Sequence, residues 1–445
     1  MSAILLALSE ECARLAVFCT KFFQSPRRYT DEAAQIAVRL KKCDCGHAAS
    51  ADYRTEYVVC GQRNAAVYIH TGGSDGGGFI SPLIFDNAGN LYGCAASGGV
   101  AGVGTVFELA RSGSEWTEAV LYSFLNGSDG ANPYGPLVLD KEGNLYGITY
   151  GGGASNLGTV FELSPDSSGG WTKTTIYSFA GGRDGSSPFG GLISDSRGDL
   201  YGFTLSGGTG SCDNGNGCGT VFELRRSQSS WKEVVVFRFR GDNSGSLPRA
   251  LTLDQTGNLY GTTSEGGKGS SGVVFKLAHS AGGWTESVLH AFSGGSDGST
   301  PEGGVSIDDA GNLYGTTFSG SGGGCPEGCG LVFELTPVEK GRWRELVVHR
   351  FEQNTRGGVN PDTSLIFDQA GNLYGGTNGG DAYGEGVVFE LMQNFDGKWV
   401  ESVIQNFFGE NGSSPGTLIL GKDGYLYGAA GGGAYGNGLV FQLSP

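Results

Sequence analysis

One motif recurs seven times along the chain, and this periodicity constrains the fold more than any other feature. Aligned on Leu-Tyr-Gly, the tyrosines fall at Tyr92, Tyr146, Tyr201, Tyr260, Tyr314, Tyr374 and Tyr427, at intervals of 53 to 60 residues. A unit of this size cannot bury its apolar face alone, so neighbouring copies must stack. Each copy holds four short strand-like runs, which in the second copy are residues 136–140, 145–149, 159–163 and 171–179. Four strands form one propeller blade, so the expected fold is an all-β, seven-bladed β-propeller of four-stranded blades. The last copy stops after its third run, Val440-Phe441-Gln442-Leu443, while Val67-Tyr68-Ile69-His70 matches the fourth run of the first copy, Leu121-Tyr122-Ser123-Phe124. The early strand is therefore expected to close the last blade and remove the exposed sheet edges.

The 83 glycines among 445 residues far exceed the usual ~7%. With 13 prolines and no Gly-X-Y period, they mark turns rather than collagen or linker. The 25 Phe, 18 Tyr and 6 Trp supply enough apolar surface for a core and argue against disorder. A net charge of -16 disfavours nucleic acid, which needs a concentrated basic face. No apolar run is long enough for a transmembrane helix, and Glu10, Glu11, Arg14 and Lys21 interrupt the start, so no clear signal peptide is read there. Residues 1–50 are expected to form a helical or disordered segment ahead of a propeller spanning 51–445, and the chain is expected to be a monomer.

Much of the repeat is read as structural. In Asp140-Lys-Glu-Gly143-Asn144 the glycine permits positive φ and the Asp and Asn side chains cap a hairpin; the equivalents begin at Asp86, Asp195, Asp254, Asp308 and Asp368. All six tryptophans, Trp116, Trp171, Trp231, Trp284, Trp343 and Trp399, hold one position at the start of the fourth run, as blade-packing residues would. Asp75, Asp129, Asp184 and Asp297 precede glycines in the loops that enter each copy, and Asx-turns are the expected role. Arg197-Gly198-Asp199 sits where other copies have x-Gly-Asn and reads as an ordinary hairpin.

The series Asp-x-x-Gly-Asn-Leu-Tyr-Gly, Gly-Thr-Val-Phe-Glu-Leu and Trp-Thr-x-x-x-x-Tyr-Ser-Phe, intact from Asp140 to Leu163 and from Trp171, resembles the GloVer tandem repeat of bacterial choice-of-anchor proteins. That resemblance implies a surface or secreted propeller, extracellular or periplasmic. A looser similarity, confined to the Asp-x-x-Gly-Asn-x-Tyr hairpin, links the chain to NHL-type propellers and to gluconolactonase- and paraoxonase-like enzymes. In those enzymes Ca²⁺ near the channel mouth activates a substrate carbonyl, an analogy at the level of fold.

Function is sought where the copies differ. The residue after the proline of each entering loop runs Tyr134, Phe189, Arg249, Glu302, Asp362 and Gly416, with Ile80 in the first copy. Tyr134 and Phe189 are candidate ligand-binding residues, together with Asn378 and Tyr383 in the loop between second and third strands of the sixth copy. Glu302, Asp362 and Asp381 are candidate metal ligands, and Glu302, Asp362 and Arg249 candidate catalytic groups. Arg249 and Glu302 can equally form an exposed interblade ion pair worth ~0 to 1 kcal/mol. Local disulfides are expected between Cys212 and Cys218 and between Cys325 and Cys329, each stapling a glycine-rich loop in an oxidising compartment. Cys43, Cys45, His47 and Cys60 form a weaker metal candidate. Two functions follow: binding of a small molecule or carbohydrate at the channel mouth, or calcium-dependent hydrolysis of a lactone or ester there.

Overall fold

The computed structural model describes residues 65–227, 230–353, 357–380 and 383–445. The expected N-terminal segment, Asp381 and the Cys43, Cys45, His47 and Cys60 group lie outside them. The described chain forms seven antiparallel sheets arranged as a propeller ring. In the second blade the strands run outward as Ala131–Leu139, Leu145–Gly151, Thr159–Pro165 and Trp171–Ser178. In the first and sixth blades the innermost strand is broken in two, Gly77–Ile80 with Ile84–Phe85 and Gly358–Pro361 with Ile366–Phe367. Closure follows the expected scheme: Ala65–Ile69 pairs antiparallel with Leu439–Leu443, Tyr68 facing Val440.

The Leu-Tyr-Gly motif is explained by what lies across it. In the second blade, Gly147 faces Phe161 of the third strand, and a Cβ on Gly147 would lie 2.5 Å from the Phe161 ring. The glycine makes room for the phenylalanine that fills the core, and Phe161 is fully buried. The preceding leucine, Leu145, is buried beside it, and the tyrosine points to the hairpin end. There Asp140 Oδ1 accepts from the backbone N–H of Asn144 at 2.8 Å, and its Oδ2 accepts from the Tyr146 hydroxyl at 2.9 Å. Tyr146 also lies 3.0 Å from Glu162 Oε1. The row of aspartates is thus hairpin scaffold. The tryptophans pack between blades, Trp231 against Tyr146 and Trp116 against Tyr427 in edge-on geometry, with centroids 5.6 Å and 5.9 Å apart.

Blades are joined at the end opposite these hairpins by a proline seated on a glycine. A Cβ on Gly158 would meet Pro188 Cδ at 2.3 Å and the Thr149 carbonyl at 2.7 Å, and its φ is +98°. The residue before each proline adopts a left-handed conformation, as at Asn132 (φ 56°), Leu247 (φ 55°) and Thr300 (φ 54°). Its backbone N–H donates across the junction: Asn132 to Val103 O at 2.7 Å, Leu247 to Cys218 O at 3.1 Å, Thr300 to Ser271 O at 2.8 Å and Asn360 to Cys329 O at 2.8 Å. We expect Gly158→Ala to destabilise the protein by about 2–4 kcal/mol, because it combines positive φ with overpacking against a neighbouring blade. Gly182→Ala, at φ +58° with nothing within 4 Å, should cost about 1 kcal/mol; thermal denaturation of the two variants checks the difference.

Candidate functional site at the channel mouth

The side chains that follow the junction prolines converge: Tyr134 of the second blade senses Arg249, Glu302 and Asp362 of the fourth, fifth and sixth. Backbone after these residues is crowded: a Cβ on Gly135 would lie 2.1 Å from Gly191 N, and one on Gly303 2.3 Å from Thr363 O. Neighbouring inner strands therefore touch at these glycines, which directly follow Tyr134 and Glu302 of the variable ring.

An aromatic column forms one arc of the ring. Tyr134 stacks on Phe189 with centroids 4.1 Å apart and on Phe79 at 4.5 Å, almost parallel. In the first blade Ile80 takes the proline's place, so the aligned ring position falls on buried Ser81, and Phe79, one residue before the joint, supplies the aromatic. Ile80 pairs with Ala95 as Pro133 pairs with Thr149, and it packs against Gly438 as the prolines pack on their glycines. The first copy carries one more residue before this point and one fewer after it, so a register counted back from the hairpin lands on the wrong residue. The column also revises how the aromatics can be used: both faces of Tyr134 are covered by neighbours, leaving ring edges, its hydroxyl and the half-exposed Phe79 to meet a ligand.

The charged arc faces the column. Arg249 Nε stands 2.9 Å from Glu302 Oε2, both side chains only partly exposed. The N–H is angled away from that oxygen, leaving Arg249 Nε without a hydrogen-bond acceptor, so the pair is an ion contact with directional capacity unused. Burial raises the Glu302 pKa, with Arg249 opposing and Glu265 adding to the shift. Asn378 Nδ2 donates to Asp362 Oδ2 at 3.3 Å, so two of the residues singled out in the sixth copy do meet. Asp362 Oδ1 is buried without a partner. Burial pushes Asp362 to about 6, with the Asn378 hydrogen bond opposing and Glu302 repulsion adding. Tyr134 is raised to about 12, first by burial and then by Asp362 and Glu302, while Arg249 pulls it down. Its hydroxyl therefore remains a donor at neutral pH and senses all three charged groups. Tyr383 is exposed on an outer loop, against Phe408 at 5.7 Å.

Both disulfides form as expected. Their carbonyls at Cys218 and Cys329 accept the junction N–H of Leu247 and Asn360, each two residues before Arg249 and Asp362. The bridges thus anchor the turns that carry two of the three charged ring residues. Among the described residues no group of three or more His, Cys, Asp or Glu side chains gathers as metal ligands. Glu302 is committed to Arg249, and the free oxygen of Asp362 is closed off. These two carboxylates alone fall short of the roughly six to eight oxygens calcium takes.

A groove of about 760 Å³ lies away from this site, against the hairpins of the third and fourth blades, lined by Asp195, Arg197, Tyr201, Glu223, Asp254 and Trp284. These are repeat-scaffold positions. Arg197 there closes onto Asp195 at 2.9 Å and Asp199 at 3.1 Å, so the adhesion-like tripeptide is held within its own turn.

The Gloeobacter/Verrucomicrobia repeat matches residues 57–213, 167–326 and 286–445. The chain belongs to this repeat family. No curated protein sequence matches it. Among solved structures it is similar to a polysaccharide lyase, an ulvan lyase bound to a glucuronate–sulfated rhamnose saccharide, at 11% identity and TM-score 0.53, covering 84% of this chain and 95% of that one. It is similar also to the extracellular domain assigned to a hybrid two component system from B. thetaiotaomicron, at 10% identity and TM-score 0.53, covering 85% of this chain. This chain spans 39% of that domain's length. A gluconolactonase-family structure aligns at 12% identity and TM-score 0.40, covering 86% of this chain and 93% of that one. At these identities the likeness is one of propeller fold. Among the described residues no helix is long and apolar enough to cross a membrane.

The raised Asp362 pKa has a stability consequence. Its folded value, about 6 against an ordinary 3.8, means the protonated form is favoured by folding. That stabilisation is whole below about pH 3.8 and is lost as pH rises through about 6. We expect Asp362→Asn to raise stability by about 1–3 kcal/mol at pH 8 and by almost nothing at pH 4; denaturant titrations at the two pH values check this.

Proposed function

We propose that the protein binds a small molecule or a glycan at the channel mouth, on the ring made by Phe79, Tyr134, Phe189, Arg249, Glu302 and Asp362. The observation that carries this reading is the juxtaposition of an aromatic column with a charged arc. One apolar wall faces a few convergent polar groups, the arrangement a compact polar ligand needs. The Tyr134 hydroxyl, the partly exposed guanidinium of Arg249 and the Asp362 carboxyl offer both donors and acceptors within one small area. A saccharide suits such a wall because its C–H faces can lie against ring edges while its hydroxyls exchange hydrogen bonds. The saccharide-bound lyase that shares the fold supports this class of ligand by analogy only. An extracellular or periplasmic setting accords with two disulfides in exposed loops.

A glycan array followed by calorimetry on the best ligand tests the proposal. Tyr134→Ala and Asp362→Asn should each weaken binding at least about tenfold, the loss of one buried hydrogen-bonding or packing contact of about 1.4 kcal/mol or more. Affinity unchanged in both variants would place the ligand elsewhere and sink the reading.

A second reading, hydrolysis of a lactone or ester, is favoured by Asp362 alone, whose pKa of about 6 suits proton transfer near neutral pH. Calcium in that reading would be held by Glu302, Asp362 and Asp381, and the described residues do not by themselves fit it. Lactone and ester turnover lost in chelator, restored by calcium and abolished by Glu302→Ala with Asp362→Ala is the outcome expected of that reading; turnover indifferent to both removes it.

A further inference from the structure

Each blade junction places the residue two after the fourth-strand tryptophan beside the acidic loop leaving the preceding blade. In the second blade that residue is Lys173, its side chain only 4% exposed. Its ammonium donates to Asp129 Oδ1 at 3.0 Å, to Thr175 Oγ1 at 2.7 Å and to the Asp129 carbonyl. At the equivalent place the first, third, fourth and fifth blades carry Glu118, Glu233, Glu286 and Glu345. A cation has been exchanged for an acid against the same kind of acidic loop, now Asp75, Asp184, Asp242 and Asp297. In all four glutamates Oε1 is buried and has no hydrogen-bond partner.

We propose that these four junctions are proton-binding sites, in which the glutamate is held as a neutral carboxylic acid beside an ionised aspartate of the preceding blade, the proton taking the role that the Lys173 ammonium plays at the one remaining acidic junction. The glutamate oxygen is closed to solvent, so a proton fits where a hydrated ion does not. The aspartates are the members fitted to stay charged, because donors surround them. Asp75 accepts from Thr71 N at 2.7 Å, from Thr71 Oγ1 at 2.5 Å and from the Tyr68 hydroxyl at 3.2 Å. Asp184 accepts from the Tyr177 hydroxyl and from Ala180 N, and Asp297 from Ser293 N and Ser293 Oγ. Asp242 Oδ1 accepts from Ser244 N at 2.9 Å.

The charged and titratable groups facing each glutamate are few. Glu118 meets Asp75 and Tyr68; Glu233 meets Asp184, Tyr177 and Arg238; Glu286 meets Asp242; Glu345 meets Asp297 and Arg350, with His290 beyond at 3.5 Å from Asp297. Burial first, and the facing aspartate second, push all four glutamates to about 7 from an ordinary 4.5. In the sixth blade Glu401 likewise has a buried Oε1 without a hydrogen-bond partner, but Gly357 stands beside it where Asp75, Asp129, Asp184 and Asp297 stand in their loops, and its charged neighbour is His349 at 3.4 Å.

The sign of the effect follows. Protonated junctions contribute fully below about pH 4.5, and the contribution is lost as pH rises through about 7. Asp75, Asp242 and Asp297, held below their ordinary value, titrate beneath this window. His70 and His290, lowered by burial, act oppositely within it, so the wild-type profile alone does not isolate the glutamates. The test is therefore a difference. Melting temperatures of the full chain are measured from about pH 5 to about pH 8 in chelator-treated buffer for wild type, the quadruple Glu→Gln variant at 118, 233, 286 and 345, Glu118→Lys and Lys173→Glu. The quadruple variant should match wild type at pH 5 and melt several degrees higher at pH 8. Glu118→Lys should melt higher than wild type at pH 8, and Lys173→Glu lower, with the Lys173→Glu deficit shrinking toward pH 5. A difference that stays constant with pH overturns the proposal. So does recovery of wild-type melting at pH 8 by calcium or magnesium that the Gln variant lacks, which would assign the junctions to metal. Should the quadruple variant not fold, Glu118→Gln and Glu233→Gln singly make the same comparison.

Discussion

The seat of each entering proline on the glycine of the preceding blade is the constraint on which the ring depends. Sheets in a propeller share no strand, so nothing in the sheet ladders fixes one blade against the next. The proline ring fills space that only glycine leaves, and the left-handed residue before it turns its N–H onto the neighbouring loop's carbonyl. Thr300 is β-branched and Leu247 bulky, and both hold φ values near 55°, a conformation that costs about 1–2 kcal/mol per residue. That cost is met because the alternative leaves a buried N–H and a buried carbonyl unpaired at the junction, at about 1–3 kcal/mol for each group. Strain of this kind is often assigned to function. Its recurrence at Asn132, Ser187, Leu247, Thr300, Asn360 and Ser414 shows it to be architectural.

The candidate site is built directly on this joint. Tyr134, Phe189, Arg249, Glu302 and Asp362 each follow a junction proline, so their backbones are fixed from two blades at once. Only the side chain is free to differ, and it differs from copy to copy without disturbing the seat. The two disulfides strengthen the arrangement by holding the loops that receive Leu247 and Asn360. Side chains held this way meet a ligand with little ordering left to be done.

Most of the fold is legible in the repeat. Leu-Tyr-Gly, Phe-Glu-Leu and the single tryptophan of each copy report strand order, and the match of residues 67–70 to 121–124 reports the closure. What sequence did not carry was register within the first inner strand, where Ile80 takes the junction proline's place and Phe79 supplies the aromatic, because one residue is gained and another lost on either side of a bulge. Pairing is decided there by the fit of Ile80 to Gly438, a contact between residues at opposite ends of the chain. The mutual stacking of Phe79, Tyr134 and Phe189 was hidden for the same reason: spacing says which residues share a ring, and only packing says whether their faces are spent on each other. Glu265, which adds to the Glu302 shift, lies outside the aligned ring position and carries no signal of its own.

An acidic chain with a sevenfold repeat presents many carboxylates that look alike, and the balance between burial and donors around each one separates them. Asp140 accepts from Glu142 N, Asn144 N, Asn144 Nδ2 and the Tyr146 hydroxyl. Burial raises its pKa, but these donors outweigh burial and leave it below its ordinary value. Asp362 is buried far more deeply, and its donors, the Asn378 amide and its own backbone N–H, do not offset that burial, which leaves it at about 6. Both are aspartates in a Gly-rich propeller, and both are partly buried. One is an internal acceptor whose capacity is exhausted by its own hairpin, and the other keeps capacity unspent at the mouth of the channel. The charge on a carboxylate therefore says little here about its role. Unmet hydrogen-bonding capacity together with deep burial sets the carboxylate that is costly to ionise apart from those whose charge is already satisfied.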